Sequence, residues 1–411
     1  MYTKLKPNLE SILIHVNQFI NIDRDREEYA SHFENIKIKI FTHLRETPPF
    51  GSLFNGYQLG GSYGDNLKVT RPDEFDLVFR IRFPESKLIN VIEDDEMPGN
   101  VHLDFTRVLA KIRKEKQHEI TYKYLTSQWL DANNRLVVDK LQSYFQSCFT
   151  KTLTEMNWEF RLNGESTRLR YHREGPAHTI KVIGARMKYS VDFVPGILLD
   201  PCQSITPTDV GQWEAIPKPI KWARNNYTSF RSSYYLEEQQ LIKNCNNLKN
   251  CLRMMKKFRD AHSNMSPMKS YFIKTLFLWK VKEEGSKSYW NKSLTIIILD
   301  MFKSMEQSLI NGVLPFFWDR RLNMYDQLSR ANIREMLGCV VGARTTLEKA
   351  RFGLTLPLQK RVYEVFLVNG ERNYSVQSEM YEDENYYDDQ FQEQSPLIST
   401  SKKSDPCCVI L

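Results

Sequence analysis

Apolar residues recur every three or four positions over residues 8–22 (Leu9, Ile12, Leu13, Val16, Phe19, Ile20) and 27–45 (Tyr29, Phe33, Ile36, Ile38, Ile40, Phe41, Leu44). This is the spacing of two amphipathic helices, and Pro48-Pro49 ends the second. Residues 57–62 lead through Gly60-Gly61, a pattern that predicts a turn and a short helix. Residues 73–83 then alternate as a strand, stopping at Pro84 and buried on one face. Strands are also predicted at 158–162, 178–183 and 189–194, with Pro195-Gly196 closing the last. Beyond residue 235 the period becomes helical, through 236–259, 271–281, 293–309 and 333–343, with Pro315 and Pro357 as breaks. The expected fold class is α+β: a mixed sheet lobe carrying the N-terminal helices (1–235), packed on a helical lobe (236–369). Residues 370–411 are polar, acidic and poor in core formers, which predicts a disordered tail.

Composition adds two points. No run of about 18 uncharged apolar residues is present to span a bilayer. The seven cysteines follow neither a disulfide framework nor a paired zinc spacing, which points to a reducing, cytoplasmic compartment. The net charge of +7 also conceals an asymmetry. Residues 371–411 hold nine acidic side chains against three basic ones, so residues 1–370 carry +13 and favour polyanions such as nucleic acid.

The chemistry concentrates at one strand. Residues two apart on a strand share a face, so Glu74 and Asp76 present two carboxylates side by side, and Asp192 on another predicted strand offers a third. Such a set suits hard divalent cations, Mg²⁺ or Mn²⁺. Two ions about 4 Å apart support transfer from a triphosphate. Upstream, Gly60-Gly61-Ser62 gives a backbone that a phosphate can approach closely. An acidic pair near a turn is usually solvated surface. Here the apolar run Leu77-Val78-Phe79 argues instead for a buried strand, where charge needs a partner.

Gly61-Ser62, Glu74-Phe75-Asp76, Gly175-Pro176-Ala177 and Val191-Asp192-Phe193-Val194-Pro195 together resemble the cyclic GMP-AMP synthase-like receptors. These sit in the nucleotidyltransferase superfamily that also holds the oligoadenylate synthetases, and the likeness spans roughly residues 10–365. It implies a bilobal nucleotidyltransferase fold with N-terminal spine helices, metal ligation by Glu74, Asp76 and Asp192, and substrates ATP and GTP. The implied product is a cyclic dinucleotide, cyclic GMP-AMP, made in innate antiviral defence. In the second lobe, Phe230-Arg231-Ser232-Ser233, the helix bearing Lys256, and Ser270-Tyr271-Phe272-Ile273-Lys274 resemble the family's nucleotide-contacting segments. By analogy Arg231, Ser233, Glu238, Lys256, Ser270, Tyr271 and Lys274 contact nucleotide, with Gly61 and Ser62 at the phosphates. A linear oligoadenylate-type synthase and a non-catalytic nucleotide-binding scaffold remain alternatives.

The resemblance has one departure. The vertebrate DNA-sensing enzyme carries a zinc insertion of one His and three Cys, whereas the corresponding stretch here holds only Cys245 and Cys251. Two thiols cannot fill a tetrahedral site, so no structural zinc is expected. Insect members also lack the insertion, and some respond to double-stranded RNA, the expected activator here. Three basic groups are candidates for such a contact: Lys111, Arg113, Lys114, Lys116 and Lys123; Arg253, Lys256, Lys257 and Arg259; and Lys218, Lys221 and Arg224. A ligand-induced oligomer also fits this reading. The chain ends Cys407-Cys408-Val409-Ile410-Leu411, a C-a-a-X form that predicts geranylgeranylation of Cys408, with Cys407 as a second lipid site, and attachment to a membrane face.

Overall fold

The computed structural model describes residues 8–20, 26–65, 67, 73–206, 210–218 and 227–368. The C-terminal motif with Cys407 and Cys408, together with Lys221, Arg224 and the side chain of Ser62, lies outside the described part. No helix among the described residues is long and apolar enough to cross a membrane.

Among the described residues ten strands form one sheet: β1 (Phe54–Gly60), β2 (Glu74–Ile81), β3 (Asn90–Glu93), β4 (Asn100–Asp104), β5 (Glu159–Leu162), β6 (Glu165–Glu174), β7 (Ala177–Ile183), β8 (Lys188–Leu199), β9 (Trp213–Ile216) and β10 (Phe230–Ser233). Their order is β3-β4-β10-β9-β8-β7-β6-β5. β2 runs parallel to β8, and β1 lies antiparallel to the outer side of β2. Every other pairing is antiparallel.

Three local expectations change. Residues 57–60, expected in a turn, end the strand Phe54–Gly60, because β2 supplies ladder partners for Phe54 and for Tyr57 through Gly60. β2 is buried on both faces. Phe75, Leu77, Phe79 and Ile81 enter the main sheet core, while Val78 packs with Ala177, Val194 and Ile216 on the other side. β8 also runs on through Pro195-Gly196 to Leu199. Those two residues fall after β7 pairing has ended at Phe193 and before β9 pairing begins at Ile197, and both stay in the ladder with β2. A proline that donates no ladder bond is tolerated at such a gap.

The two N-terminal helices serve different lobes. Arg26–Arg45 lays Phe33, Ile36, Ile40 and Phe41 on the sheet. Leu9–Ile20 buries Leu9, Ile12, Leu13 and Val16 in the helical lobe instead, so that lobe's core draws on residues outside 236–369. Glu10 adds a directional tie, its two oxygens accepting from the amides of Leu294 and Thr295 at 2.9 and 2.8 Å. This places negative charge on the N-terminus of helix Leu294–Asn311.

The helical lobe comprises Tyr235–Ile242, Asn246–Ala261, Ser270–Glu284, Leu294–Asn311, Arg330–Phe352 and Leu356–Phe366. The expected single run over 236–259 divides at Asn244, whose φ of 61° is left-handed, a conformation that asparagine tolerates better than most residues. Cys245 and Cys251 are buried, and Cys251 lies wholly within the lobe's apolar core.

Phe75 sits between the two carboxylates of β2 and points the opposite way. Its ring stacks on Phe33 with centroids 4.2 Å apart, and Tyr63 and Tyr189 close around it at 4.6 and 5.3 Å. We expect Phe75→Ala to lower unfolding free energy by about 3–5 kcal/mol, measured by urea denaturation. A loss below about 1 kcal/mol would mean that this stack does not anchor the strand.

Candidate active site

The pairing of β1, β2 and β8 assembles the site. Asp76 stands opposite Gly60 of β1 and opposite Asp192 of β8, and Glu74, two residues earlier, shares its face. One carboxylate oxygen from each of Glu74, Asp76 and Asp192 lies within 4.8 Å of the others, the single group of this kind among the described residues. Asp76 and Asp192 are buried and Glu74 is half-buried. Thr179, opposite Asp192 on β7, donates its hydroxyl to Asp192 Oδ1 at 2.6 Å and fixes that carboxylate.

Gly61 is required by contact as well as by conformation. Its φ is +57°, and a Cβ there would lie 1.7 Å from Asp76 Oδ2. Only glycine brings the backbone this close to the carboxylates without strain. Ser62 follows within the helical turn Gly61–Gly64.

Asp65, directly after that turn, ties the catalytic strands to the second lobe. It accepts from Tyr235 Oη and from Lys274 Nζ, each at 2.8 Å. Lys274 also contacts Glu238 at 2.9 Å, and Glu238 in turn accepts from Tyr271 Oη at 2.7 Å and Trp318 Nε1 at 3.0 Å. Burial works against the Lys274 ammonium, but the two carboxylates outweigh it and hold its pKa above the ordinary value. Burial, with Glu238 adding to it, pushes the Tyr271 phenol up. Lys274 and Glu238 are thus engaged in a buried bridge between the lobes. Lys256 makes a second bridge, donating to the Leu67 carbonyl at 3.0 Å.

Arg231 and Ser233 share a face of β10, while the intervening Ser232 turns away and donates to the Gly99 carbonyl at 2.8 Å. The Arg231 guanidinium lies over Phe316 at 5.6 Å, and the Tyr271 ring lies 6.4 Å from Phe316. Burial lowers the pKa of Arg231 to about 10, which leaves it cationic at neutral pH. Ser270 accepts from Arg259 at the start of helix Ser270–Glu284.

Several participants carry no signal in the sequence. Thr179, Asp65, Tyr235 and Trp318 have no motif of their own, and their roles arise from contacts such as Asp65 with Lys274, 209 residues apart. Lys218, expected in a surface cluster, is instead partly buried, with a pKa lowered to about 8 by burial and by the neighbouring Arg231 and Lys269. A second basic group is corrected as well. Arg253, Lys256 and Lys257 are buried, because helix Asn246–Ala261 is enclosed on every side from Cys251 to Phe258. Lys111, Arg113, Lys114, Lys116 and Lys123 are exposed, as a surface contact needs.

Residues 63–244 match the Mab-21 protein nucleotidyltransferase domain, and residues 247–342 match the Mab-21 protein HhH/H2TH-like domain. The chain is 58% identical to a cyclic GMP-AMP synthase-like receptor of Lucilia cuprina over 88% of its own length and 98% of the relative's. It is 41% identical to cyclic GMP-AMP synthase-like receptor 2 of Drosophila melanogaster, over 79% of this chain and 73% of that one. It is 35% identical to cyclic GMP-AMP synthase-like receptor 1 of Drosophila simulans, over 90% and 96%. A carboxylate triad on paired strands, a glycine turn beside it and these matches over most of the length agree: the chain belongs to the Mab-21 nucleotidyltransferase family and, within it, to the cyclic GMP-AMP synthase-like receptors.

Proposed function

We propose that the protein joins ATP and GTP into cyclic GMP-AMP and is switched on by double-stranded RNA in innate antiviral defence, acting in the cytoplasm from a membrane face to which a C-terminal lipid on Cys408 attaches it. The observation that carries the reading is the triad of Glu74, Asp76 and Asp192 with ligand atoms within 4.8 Å, beside a glycine turn. Three convergent carboxylates fit Mg²⁺ or Mn²⁺, whose preference is for oxygen ligands. When bound, such ions would supply positive charge at the phosphates and make a ribose hydroxyl easier to deprotonate.

The side chains have distinct tasks. Glu74, Asp76 and Asp192 would hold the cations, and the Gly61-Ser62 turn would lie along the triphosphate. Arg231, cationic although buried, would neutralise a phosphate, with Ser233, Lys256 and Ser270 as further donors. Tyr271 offers a ring for a base, and Lys274 and Glu238 position it through the hydroxyl bond and the bridge to Asp65. A ribose oxygen attacks the α-phosphorus of the other nucleotide. A new P–O bond forms, the α–β phosphoanhydride bond breaks, pyrophosphate leaves and a carboxylate of the site accepts the hydroxyl proton. A second round closes the ring.

With purified protein, labelled ATP and GTP, Mn²⁺ and duplex RNA, the expected product is a phosphatase-resistant ring. Asp76→Asn and Gly61→Ala should each lower its rate by at least about a hundredfold without unfolding the chain. A linear product would favour an oligoadenylate-type synthase, and unchanged synthesis by Asp76→Asn would contradict the mechanism.

The exposed cations Lys111, Arg113, Lys114, Lys116 and Lys123 are the groups that support binding along a duplex. Reversing Lys111, Arg113 and Lys114 to Glu should weaken RNA binding and make its salt dependence shallower, by a slope of about one for each phosphate no longer neutralised. A salt slope equal to that of the parent protein would remove this surface from the account.

A further inference from the structure

A cavity of about 830 Å³ opens on the reverse side of the elements that build the nucleotide cleft. On β10, Arg231 and Ser233 share one face, while Ser232 lines the cavity. On helix Ser270–Glu284, Tyr271 and Lys274 bond to Glu238, while Trp279 and Lys282 line the cavity. Phe317, Trp318 and Arg320 complete the part of the wall that matters here.

The aromatic walls are held in place. Trp279 Nε1 donates to the Pro315 carbonyl at 2.8 Å, and Trp318 Nε1 donates to Glu238 at 3.0 Å, so both indoles have fixed ring planes. Two cations flank them. The Arg320 guanidinium lies 4.6 Å from the Trp279 ring centre, and the Lys282 ammonium lies 5.5 Å from Trp279 and 5.8 Å from Phe317. Three carboxylates also face the cavity, but each is engaged. Asp319 and Glu93 hold Arg321, and Glu237 accepts from the Gly211 amide at 2.8 Å. Arg320 and Lys282 form no salt bridge with a carboxylate among the described residues, and with Lys287 and Arg321 the lining carries four cations against three carboxylates, a net charge of +1 beside aromatic rings that meet edge to face or tilted.

We propose that this cavity is a second ligand site, distinct from the triphosphate cleft, that takes a small planar aromatic anion. The ring system would lie against Trp279 and Phe317, and a phosphate, sulfonate or carboxylate group would meet Arg320 and Lys282. The volume falls in the range of about 300–1,000 Å³ usual for small-molecule sites. Occupancy would reach the cleft through Trp318, which forms part of the cavity wall and also donates to the Glu238 that positions Tyr271 and Lys274. This site does not depend on the proposed product, since its test reads binding alone.

The probe is 8-anilinonaphthalene-1-sulfonate, titrated into full-length protein and followed by fluorescence and calorimetry. The neutral N-phenyl-1-naphthylamine, aliphatic laurate and guanosine 5′-monophosphate are run in parallel. The expected result is one saturable site for the sulfonate, from which guanosine 5′-monophosphate displaces it and at which the neutral probe and laurate bind more weakly. Lys282→Glu with Arg320→Glu, both on the surface, should weaken it by at least about tenfold, and Trp279→Leu should weaken it by removing the aromatic face while keeping an apolar side chain. Reversal of Lys111 and Arg113 should leave it unchanged. Absence of saturable binding would overturn the proposal, as would equal binding of the neutral probe or laurate, or a dissociation constant within about twofold of the parent's after reversal of Lys282 and Arg320.

Discussion

The parallel pairing of β2 with β8 is the constraint on which the rest of the molecule depends. It sets Asp76 against Asp192 in adjacent strands and brings Glu74 to the same spot. Like charges held within 4.8 Å of one another repel. The fold must therefore supply rigidity that keeps the strands in register. Phe75 stacks on Phe33 beneath them, Val78 packs with Val194 and Ile216 on the carboxylate side, and Arg80 pairs with Glu214 at 2.9 Å further along the strand. Repulsion concentrated at so well-supported a place makes sense if cations bind there, since a buried carboxylate cluster is otherwise a liability.

The second lobe is coupled to this centre by charge rather than by apolar contact alone. The turn after Gly61 ends in Asp65, and Lys274 reaches across to hold Asp65 and Glu238 together. Removing the lysine would leave two buried carboxylates facing each other, the situation in which breaking an ion pair is most damaging. The same Glu238 receives Tyr271 and Trp318, so the position of the Tyr271 ring, the seating of the glycine turn through Lys274 and the wall of the rear cavity share one acceptor. The first helix strengthens the link between lobes, being joined in sequence to the sheet's helix while its own core lies with the helical lobe.

Much of this is legible from periodicity, but unevenly. The helices Leu9–Ile20 and Arg26–Arg45 and the strand bearing Glu74 and Asp76 carry strong apolar spacing, and they form where it predicts. β9 and β10 are four residues each, too short to show a period, and β6 reads as polar because one of its faces is exposed. Pro195-Gly196 resembles a terminator, since the gap between β7 and β9 that accommodates it is a property of the sheet. Glu74 and Asp76 are readable because strand alternation is local, and Asp192 and Gly61 because motifs mark them. Asp65 and Trp318 are not, because each acquires its role from a residue distant in sequence, and Thr179 is not, because its role depends on the register of β7 against β8. The basic run Arg253–Lys257 misleads for a related reason: charge density along a helix does not say whether the helix is enclosed by the fold.

The central claim is that Glu74, Asp76 and Asp192 form one cation site, and the most direct measurement is Mn²⁺ binding followed by electron paramagnetic resonance. The parent chain should bind Mn²⁺ saturably in the presence of a non-hydrolysable triphosphate. Asp192→Asn keeps the shape but removes a charged ligand, and it should abolish most of that binding while thermal unfolding shows the fold intact. Undiminished Mn²⁺ binding by Asp192→Asn would contradict the account.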